Sequence, residues 1–474
     1  MAGVRLLRKL RPLGKLEQVS ASCHHLGFFN NVGLSAHYEL LSSSSLAVSD
    51  LRNLVYAAVG DVVSRHRILF AIPVDEDTPN TYFASLPSVD LNRSIKFLTR
   101  SQPFNSLSGG EDKELDAILE DQHNTNFKAD YGTVPFWRLI ILRNAEANMG
   151  FTASFIYHHA IGDGVSGLLF HNAFLNALES ASLSSSSSPQ SREIIVPDEH
   201  AKVLPALGEL HPLPINPKSP IHSAANLNEW TGNYIQYPCK SRWISLHLST
   251  ETSKSFFHKC KQNELSVTSV LSSIIAMALF DILPPTTEAL TCIIPVNLRP
   301  WLQLPGKVAN TAIGTYFDAT RVQFTRPSQS PQAPSPTDDI WAGAQQASRG
   351  MRHYLDDVSP SGEPYTAVSV LEAIPDVSAI FSSTIGNPRD AAFEVTNVGL
   401  FSSALETKHA PLWQVGKVLL SRSSLVSGAA ITVSAATGGD GSMTVGFSWQ
   451  EGVLEDGLVQ KLNQRVRQNV EDIQ

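Results

Sequence analysis

The chain has 474 residues, of which 42% are hydrophobic and 17% charged, and its 36 Lys and Arg against 44 Asp and Glu give a net charge of −8. This composition is typical of a globular protein with room for one to three domains, and it excludes a chain that is disordered throughout. The acidic balance also argues against a nucleic-acid partner, because phosphates bind basic surfaces.

The cysteines and the start of the chain bear on where the protein works. Its four cysteines are scattered and form no CxxC spacing, so we expect no disulfide framework and a reducing compartment. Residues 1–14 are basic but lack an apolar core long enough for a signal peptide. No run of about 18 apolar residues is present, so no membrane span is expected. We therefore predict a cytoplasmic protein, with a short basic segment that could make it peripheral to membranes or lipid droplets.

The first half of the chain alternates between predicted helices and strands. Apolar residues recur with helical spacing over residues 51–63. Two strands are predicted at residues 137–142 and 151–157, which are rich in aromatic and β-branched side chains. A second helix is predicted over residues 165–178, so a short polar segment lies between a strand and a helix.

Low-complexity segments separate this half from the next. Residues 182–192 are rich in Ser and residues 327–336 alternate Pro, Ser and Gln, so both are expected to be exposed loops. Prolines also cluster between the two halves, and such a segment is stiff and extended. We predict an N-terminal lobe over residues 1–189, a Pro/Ser-rich connector over 190–228, and a C-terminal lobe over 229–474.

The second half predicts the same alternation of helices and strands. Strands are predicted at residues 243–248, 293–296, 430–436 and 443–449, and helices at 249–263, 267–282 and 455–473. The last two strands flank a Gly/Asp turn at residues 438–441, which predicts a hairpin. The whole pattern indicates the α/β class.

One segment, residues 158–164 (HHAIGDG), can support acid–base chemistry. It lies between a predicted strand and a predicted helix, where loops often present functional groups on a rigid scaffold. A neutral imidazole accepts a hydroxyl proton near pH 7, because its ordinary pKa is about 6.5. Adjacent residues of an extended chain point to opposite sides. We therefore expect His158 and His159 to have different roles, with only one of them facing the reactants.

Residues 158–164 match the HHxxxDG motif of the chloramphenicol acetyltransferase-like superfamily. This group includes plant BAHD acyltransferases, peptide-synthetase condensation domains and fungal alcohol O-acetyltransferases. Residues 11–14 and 27–31 resemble the start of the fungal enzymes, and residues 135–139 resemble the strand before the motif. Residues 295–300 (PVNLRP) resemble a second-lobe segment that carries an Arg. The resemblance covers most of the chain and is closest to the fungal alcohol O-acetyltransferases.

The resemblance implies a two-lobed chloramphenicol acetyltransferase-like fold, with mixed sheets flanked by helices and a tunnel between the lobes. It implies that His159 is the general base and that Asp163 orients the loop through a salt bridge to Arg299 across the lobes. His158 would have a supporting structural role, and Gly164 would allow close packing at the tunnel.

The DFGWG motif of the plant enzymes is absent from this chain. Its nearest stand-in is residues 395–399 (VTNVG), which resembles the fungal version. This departure leaves the lining of the tunnel in the second lobe open. Thr396 and Asn397 are candidates to line it or to donate a hydrogen bond to the tetrahedral oxyanion.

The resemblance also implies the reaction. We expect an acyl group, most commonly acetyl, to move from acyl-CoA to an alcohol hydroxyl by direct attack, in fungal secondary metabolism. No metal is expected, because adjacent histidines diverge and cannot easily share one ion. Three alternatives stay open: a donor held by an acyl carrier protein, an amine acceptor, and a retired family member that binds a ligand without turnover.

Overall fold

Helices and strands alternate along the whole chain. We describe them from a computed structural model, for residues 3–41, 51–102, 104, 111–144, 150–183, 192–217, 227–328, 335–403, 410–455 and 457–473. The strands are β1 (Arg8–Pro12), β2 (Val32–Leu40), β3 (Ala71–Val74), β4 (Tyr82–Ser85), β5 (Val89–Asp90), β6 (Ile95–Thr99), β7 (Trp137–Arg143), β8 (Phe151–Tyr157), β9 (Ile194–Ile195), β10 (Ser241–His247), β11 (Ala289–Asn297), β12 (Phe317–Thr325), β13 (Phe393–Leu400), β14 (Trp413–Arg422), β15 (Ile431–Thr437) and β16 (Met443–Gln450). The helices are α1 (Lys15–Leu26), α2 (Leu51–Arg65), α3 (Leu91–Ser94), α4 (Lys113–His123), α5 (Gly164–Leu183), α6 (Leu207–Leu210), α7 (Thr250–Gln262), α8 (Val267–Ile282), α9 (Gly306–Ala309), α10 (Pro336–Asp356), α11 (Val377–Ser383) and α12 (Leu458–Asp472).

Two large mixed sheets form the framework of the molecule. The first has the strand order β14-β2-β8-β7-β6, and the second has the order β10-β16-β15-β13-β11-β12. Most neighbouring strands are antiparallel, whereas β6–β7, β11–β13 and β13–β15 are parallel. A large buried apolar cluster lies against each sheet. The predicted α/β class, with two lobes and mixed sheets flanked by helices, is confirmed.

Each helix and strand predicted from the sequence is present, with ends shifted by a few residues. The predicted hairpin is β15–β16, whose pairing runs from Ile431 opposite Trp449 to Thr437 opposite Met443. Helix α7 begins after Ser249, whose side chain accepts a hydrogen bond from the N–H of Thr252. Within the two low-complexity stretches, residues 184–191 and 329–334 lie outside the described residues.

The sequence did not predict α1 or β2, which build the first lobe near the site. Helix α1 buries Ser20, Ser22 and His24 along with its apolar residues. Because polar residues occupy buried positions, the sequence of α1 lacks the apolar spacing that is typical of an amphipathic helix. Its apolar residues nevertheless belong to the core of the first lobe.

One strand from the second half of the chain joins the sheet of the first lobe. Strand β14 pairs antiparallel with β2 along its length. Its start is tied to α5, because Glu179 Oε1 accepts hydrogen bonds from the N–H groups of Leu412 (2.8 Å) and Trp413 (2.6 Å). Strand β14 lies in the part of the chain predicted as the second lobe, residues 229–474, but it belongs to the sheet built by strands of residues 1–189. The bounds of the two lobes and of the connector between them stay a prediction.

No single helix among the described residues meets the length and hydropathy that a membrane span requires. Helices α7 and α8 reach those values only when taken together, and they are bent by 104° at the break between them. Helix α8 is instead the buried central helix of the second lobe, packed between α10 and α12.

A close approach between β10 and β16 provides a test of the packing that joins the lobes. Trp243 lies over Gly446, and a Cβ at Gly446 would be 1.9 Å from Trp243 Cη2. The ring cannot move aside easily, because its Nε1 donates to Asp116 Oδ1 of α4 (2.9 Å). We expect Gly446→Ala to lower the free energy of unfolding by about 1–3 kcal/mol through overpacking.

The measurement is denaturant unfolding of the wild type and the variant. Gly306→Ala is the matched control, because a Cβ at Gly306 would meet no atom of the described residues within 4 Å. The control should change the free energy of unfolding by less than about 0.5 kcal/mol. Equal stabilities for Gly446→Ala and the wild type would contradict the packing described.

Candidate active site

The HHxxxDG segment forms the loop between β8 and α5, and the second lobe holds its main chain. Thr315 Oγ1 donates to the carbonyl oxygen of His159 (2.8 Å). The N–H of Asp163 donates to the carbonyl oxygen of Gly314 (3.1 Å). Because β8 is buried at every residue, the loop begins from a rigid strand and ends against the neighbouring lobe.

A buried ion pair between Asp163 and Arg299 fixes the loop further. Arg299 Nη1 donates to Asp163 Oδ2 (2.8 Å) and Nη2 donates to Asp163 Oδ1 (2.9 Å), in a bidentate arrangement. Asp163 follows β8 of the first sheet and Arg299 follows β11 of the second, so the pair joins the two lobes. This is the salt bridge that the resemblance implied.

The carboxylate of Asp163 is stabilised in its charged form. Besides Arg299, it accepts hydrogen bonds from the N–H of Ser166 (2.9 Å) and the N–H of Tyr316 (3.0 Å). Burial alone would raise the pKa of Asp163, but the charge and hydrogen bonds of Arg299, with the main-chain donors, bring that pKa below its ordinary value. The carboxylate is thus a fixed anion at neutral pH.

His159 lies in the wall of a cavity between two phenyl rings. The ring centroid of Phe29 is 5.7 Å from that of His159, and the centroid of Phe317 is 5.5 Å away on the other lobe. His159 Nδ1 is buried and has no hydrogen-bond partner on another of the described residues. The nitrogen that can meet a substrate is therefore Nε2.

The environment of His159 favours the neutral imidazole. Burial lowers the pKa of His159, and the nearby Arg422 guanidinium lowers it further, whereas a hydrogen bond to its own main chain, followed by Asp163 and Glu394, acts in the opposite direction. The net result is a pKa below the ordinary value of histidine. A neutral imidazole at pH 7 is the state that a general base requires.

The cavity beside His159 has a volume of about 290 Å³, and both sheets line it. Most of its wall is apolar, and its polar side chains besides His159 and Asp163 are Ser20, Asn297, Glu394, Thr396, Asn397 and Arg422. Gly164 allows the lobes to approach here, because a Cβ at Gly164 would lie 2.9 Å from Val398 Cγ1. Gly164 therefore lies against Val398 of the second lobe, where a larger side chain would not fit.

Thr396 and Asn397 both line this cavity, but their polar groups already have partners. Thr396 Oγ1 donates to Glu394 Oε1 (2.8 Å). Asn397 Nδ2 donates to Thr268 Oγ1 (3.1 Å), and Asn397 Oδ1 accepts from the N–H of Gly399 (2.9 Å). The hydroxyl proton of Thr396 and one amide proton of Asn397 are thus used to hold β13 in place.

Two charged residues of the cavity were not predicted from the sequence. Arg422 ends β14 and Glu394 lies on β13, and Arg422 Nη1 donates to Glu394 Oε1. Both side chains are about nine-tenths buried, with 11% and 10% of their surface exposed. No local signal could have paired them, because the pairing depends on which sheet β14 joins.

His158 points away from the cavity into a second buried cluster, with His24 of α1 and Glu76 after β3. Glu76 Oε1 lies 3.1 Å from His24 Nδ1 and 3.6 Å from His158 Nε2. Burial, followed by the neighbouring His24 and His159, keeps the pKa of His158 well below its ordinary value. The two histidines of the motif therefore have different surroundings, as expected for neighbours on an extended chain.

The residue types of this second cluster could bind a metal, since the three ligand atoms lie within 4.8 Å of one another. The hydrogen bonds of the two histidines argue against a bound metal. The N–H of Phe127 donates to His24 Nε2 (3.1 Å), and the N–H of Ala160 donates to His158 Nδ1 (3.0 Å). These nitrogens therefore hold lone pairs, and the protons lie on the nitrogens that face Glu76. A metal-bound histidine instead needs its lone pair on the nitrogen that faces the metal and its proton on the other ring nitrogen.

Comparisons with known proteins place the chain among acyltransferases. The family model described as alcohol acetyltransferase matches residues 110–464. The probable alcohol acetyltransferase crmB of Aspergillus fumigatus is 62% identical over 453 residues, which cover 96% of this chain and 97% of that protein.

Two solved structures share the architecture. The TRI3 trichothecene 15-O-acetyltransferase of Fusarium sporotrichioides has a TM-score of 0.69 at 12% identity, covering 98% of this chain and 95% of that chain. The first condensation domain of the CDA synthetase has a TM-score of 0.60 at 12% identity, covering 98% and 96%. At such low identity these likenesses show the fold alone.

Because the ion pair of Asp163 and Arg299 is buried, we expect removal of one charge to destabilise the fold strongly. In Asp163→Asn, Arg299 would stay buried without a counter-ion, so we expect the free energy of unfolding to fall by about 3–5 kcal/mol at pH 7. The exposed pair of Arg321 and Asp390 supplies the control. Asp390→Asn should lower the free energy by about 1 kcal/mol or less.

The pH dependence of this difference tests its electrostatic origin. Because the folded pKa of Asp163 is depressed, its contribution is fully present above the unfolded pKa of about 3.9 and is lost as pH falls through the folded pKa. The difference between wild type and Asp163→Asn should stay constant from pH 7 to about pH 5 and shrink only below about pH 4. A difference that already shrinks near pH 6 would contradict a depressed pKa.

Proposed function

The chain belongs to the alcohol acetyltransferase family, and from this premise we propose that His159 removes the acceptor proton during transfer. The protein is an acyltransferase that takes an acyl group from acyl-CoA to a small-molecule alcohol. The observation that carries the proposal is the position of His159 Nε2 in a cavity shared by both lobes, with a pKa lowered by burial.

We propose direct transfer with both substrates bound at once. As the acceptor oxygen attacks the thioester carbonyl carbon, its proton passes to His159 Nε2 and the carbonyl electron pair becomes the oxyanion. When the C=O bond re-forms, the C–S bond breaks and the proton moves from His159 to the leaving sulfur. The products are an ester and free CoA.

Direct attack is supported by the thiol nearest to the site. Cys23 lines the cavity, but burial raises its pKa well above that of a free thiol. A thiolate is the nucleophilic form, so this side chain is poorly suited to form an acyl-enzyme. Ser20 also lines the cavity, and its hydroxyl donates to the carbonyl of Leu16 (3.1 Å). Within the described part of the chain, neither residue is paired with a base.

The size and walls of the cavity support acetyl-CoA as the donor and an apolar alcohol as the acceptor. A volume of about 290 Å³ is near the lower end for small-molecule sites, about 300–1,000 Å³. We propose that the acetyl group and the reacting ends of both substrates meet there, with the nucleotide outside. We also propose that no metal takes part, because the protons of His24 and His158 face the carboxylate between them.

Replacing the base should abolish most of the activity. We expect His159→Ala to lower kcat by about 10²–10⁴-fold, the usual size of general base catalysis. The assay follows free thiol release from acetyl-CoA with a panel of apolar alcohols, and His200→Ala, an exposed histidine, is the control. Near-complete activity in a folded His159→Ala variant would contradict the proposal. Parallel reactions with amines and with an acetylated carrier protein identify the acceptor and donor classes.

The pH profile should reflect the lowered pKa of His159. His159 must be neutral to accept a proton, and the charged or titratable groups facing it are His158, Asp163, Glu394 and Arg422. Burial and Arg422 together keep the pKa of His159 below the ordinary histidine value of about 6.5. We therefore expect kcat/KM of the wild type to fall as the pH is lowered, with a midpoint below about 6.5. A midpoint at or above 6.5 would contradict this environment.

A further inference from the structure

Direct transfer creates an oxyanion that needs a hydrogen-bond donor in the cavity. Such donors contribute much of the rate in acyl transfer, because they act on charge that develops in the transition state. The hydroxyl proton of Thr396 is given to Glu394, and the amide of Asn397 holds Thr268. In the segment that the sequence suggested for this role, the Thr396 hydroxyl and one amide proton of Asn397 therefore already hold the strand in place.

The guanidinium of Arg422 has donor capacity left over. Its Nη1 donates to Glu394 Oε1, and its Nε is buried without a partner among the described residues. Within the described part of the chain Nη2 makes no hydrogen bond. Because Arg422 is one of the residues that line the cavity, this N–H group is available to a bound molecule.

Arg422 is also close to the base. Its guanidinium carbon lies 5.1 Å from the ring centroid of Phe29, and that ring centroid is 5.7 Å from the ring of His159. The guanidinium and the imidazole are therefore both neighbours of the Phe29 ring. A thioester carbonyl placed for attack near His159 would lie within the same part of the cavity as Arg422.

Glu394 holds the guanidinium in place. It lies on β13 of the second sheet, whereas Arg422 lies on β14 of the first, so the pair crosses between the lobes. The same carboxylate oxygen accepts the Thr396 hydroxyl (2.8 Å), which fixes it as well. A donor that is already oriented needs no reorganisation when charge develops, which is what makes it effective.

We propose that Arg422 is the catalytic residue that stabilises the oxyanion, through Nη2, while Glu394 positions its guanidinium. The proposal rests on the proposed acyl transfer. The oxygen that gains the carbonyl electron pair accepts this charge-assisted hydrogen bond, which weakens again when the C=O bond re-forms and the C–S bond breaks. Arg422 gives up no proton, because guanidinium stays charged throughout.

The test is steady-state kinetics of Arg422→Met with acetyl-CoA and the alcohol that the wild type uses best. Loss of an oxyanion donor should lower kcat by about 10²–10³-fold and leave KM for acetyl-CoA nearly unchanged, because the interaction is made in the transition state. Arg422→Lys should retain more activity than Arg422→Met. The acid midpoint of kcat/KM should also move to higher pH, because the cation that lowers the pKa of His159 is gone.

A second variant separates catalysis from folding. Arg422→Met alone leaves Glu394 buried without its partner, which destabilises the fold. The double variant Arg422→Met/Glu394→Gln removes both charges, so its stability should recover while kcat stays low. Arg326 is a matched control, because its guanidinium donates to the main-chain carbonyls of Phe280, Leu283, Pro284 and Thr287 and to no side chain of the described residues. Arg326→Met should lower stability and leave kcat of the folded enzyme unchanged.

The outcomes distinguish this inference from the proposed function. A wild type that releases no thiol with any acceptor would overturn the proposed transfer itself. If the wild type is active and His159→Ala is not, an unchanged kcat in folded Arg422→Met would overturn the role of Arg422 alone. Recovery of kcat in the double variant would likewise show that the ion pair has only a structural role.

Discussion

The buried ion pair between Asp163 and Arg299 is the interaction on which the rest of the site depends. It joins the loop after β8 to the segment after β11, so one pair of side chains sets how the two lobes meet at the cavity. Main-chain donors from Ser166 and Tyr316 complete the shell of the carboxylate. With these partners the buried charge is compensated, which a buried ion requires. The loop cannot shift without breaking this set, and His159 is part of that loop.

A second ion pair, Arg422 with Glu394, crosses between the lobes on the wall of the same cavity. Members of the two pairs act on the pKa of His159 in opposite directions, because Arg422 lowers it while Asp163 and Glu394 raise it. In a poorly hydrated cavity such charges act more strongly than in water. The arrangement therefore keeps the imidazole neutral and places a fixed cation near the reacting carbonyl.

The sequence predicted much of the fold because its strongest signals are local. Helix α8 and the hairpin of β15 and β16 follow from apolar spacing and a Gly/Asp turn, and the motif loop follows from its own residues. The resemblance also indicated the pair of Asp163 with Arg299, which no local pattern implies. Helix α1 was missed because it buries polar side chains such as Ser20 and His24, so its apolar residues alone do not show the spacing of an amphipathic helix.

Non-local pairing explains what the sequence could not predict. Strand β14 lies late in the second half of the chain and yet pairs with β2 of the first half, so the approach of Arg422 to Glu394 depends on a crossover. Likewise, the segment containing Thr396 and Asn397 could be found from its resemblance, but only the hydrogen bonds show that the Thr396 hydroxyl and one amide proton of Asn397 already have partners. The residues of a site are thus easier to find than the partners that determine what each one can do.

The most direct test of the account is ¹⁵N NMR of the histidine rings in the full-length protein, with the His159 signals assigned by their loss in His159→Gln. The account predicts that at pH 7 the His159 ring is neutral, with its proton on Nδ1 and Nε2 unprotonated, and that it titrates below about 6.5. A His159 ring that is an imidazolium at pH 7, or that holds its proton on Nε2, would contradict the assignment of this residue as the general base.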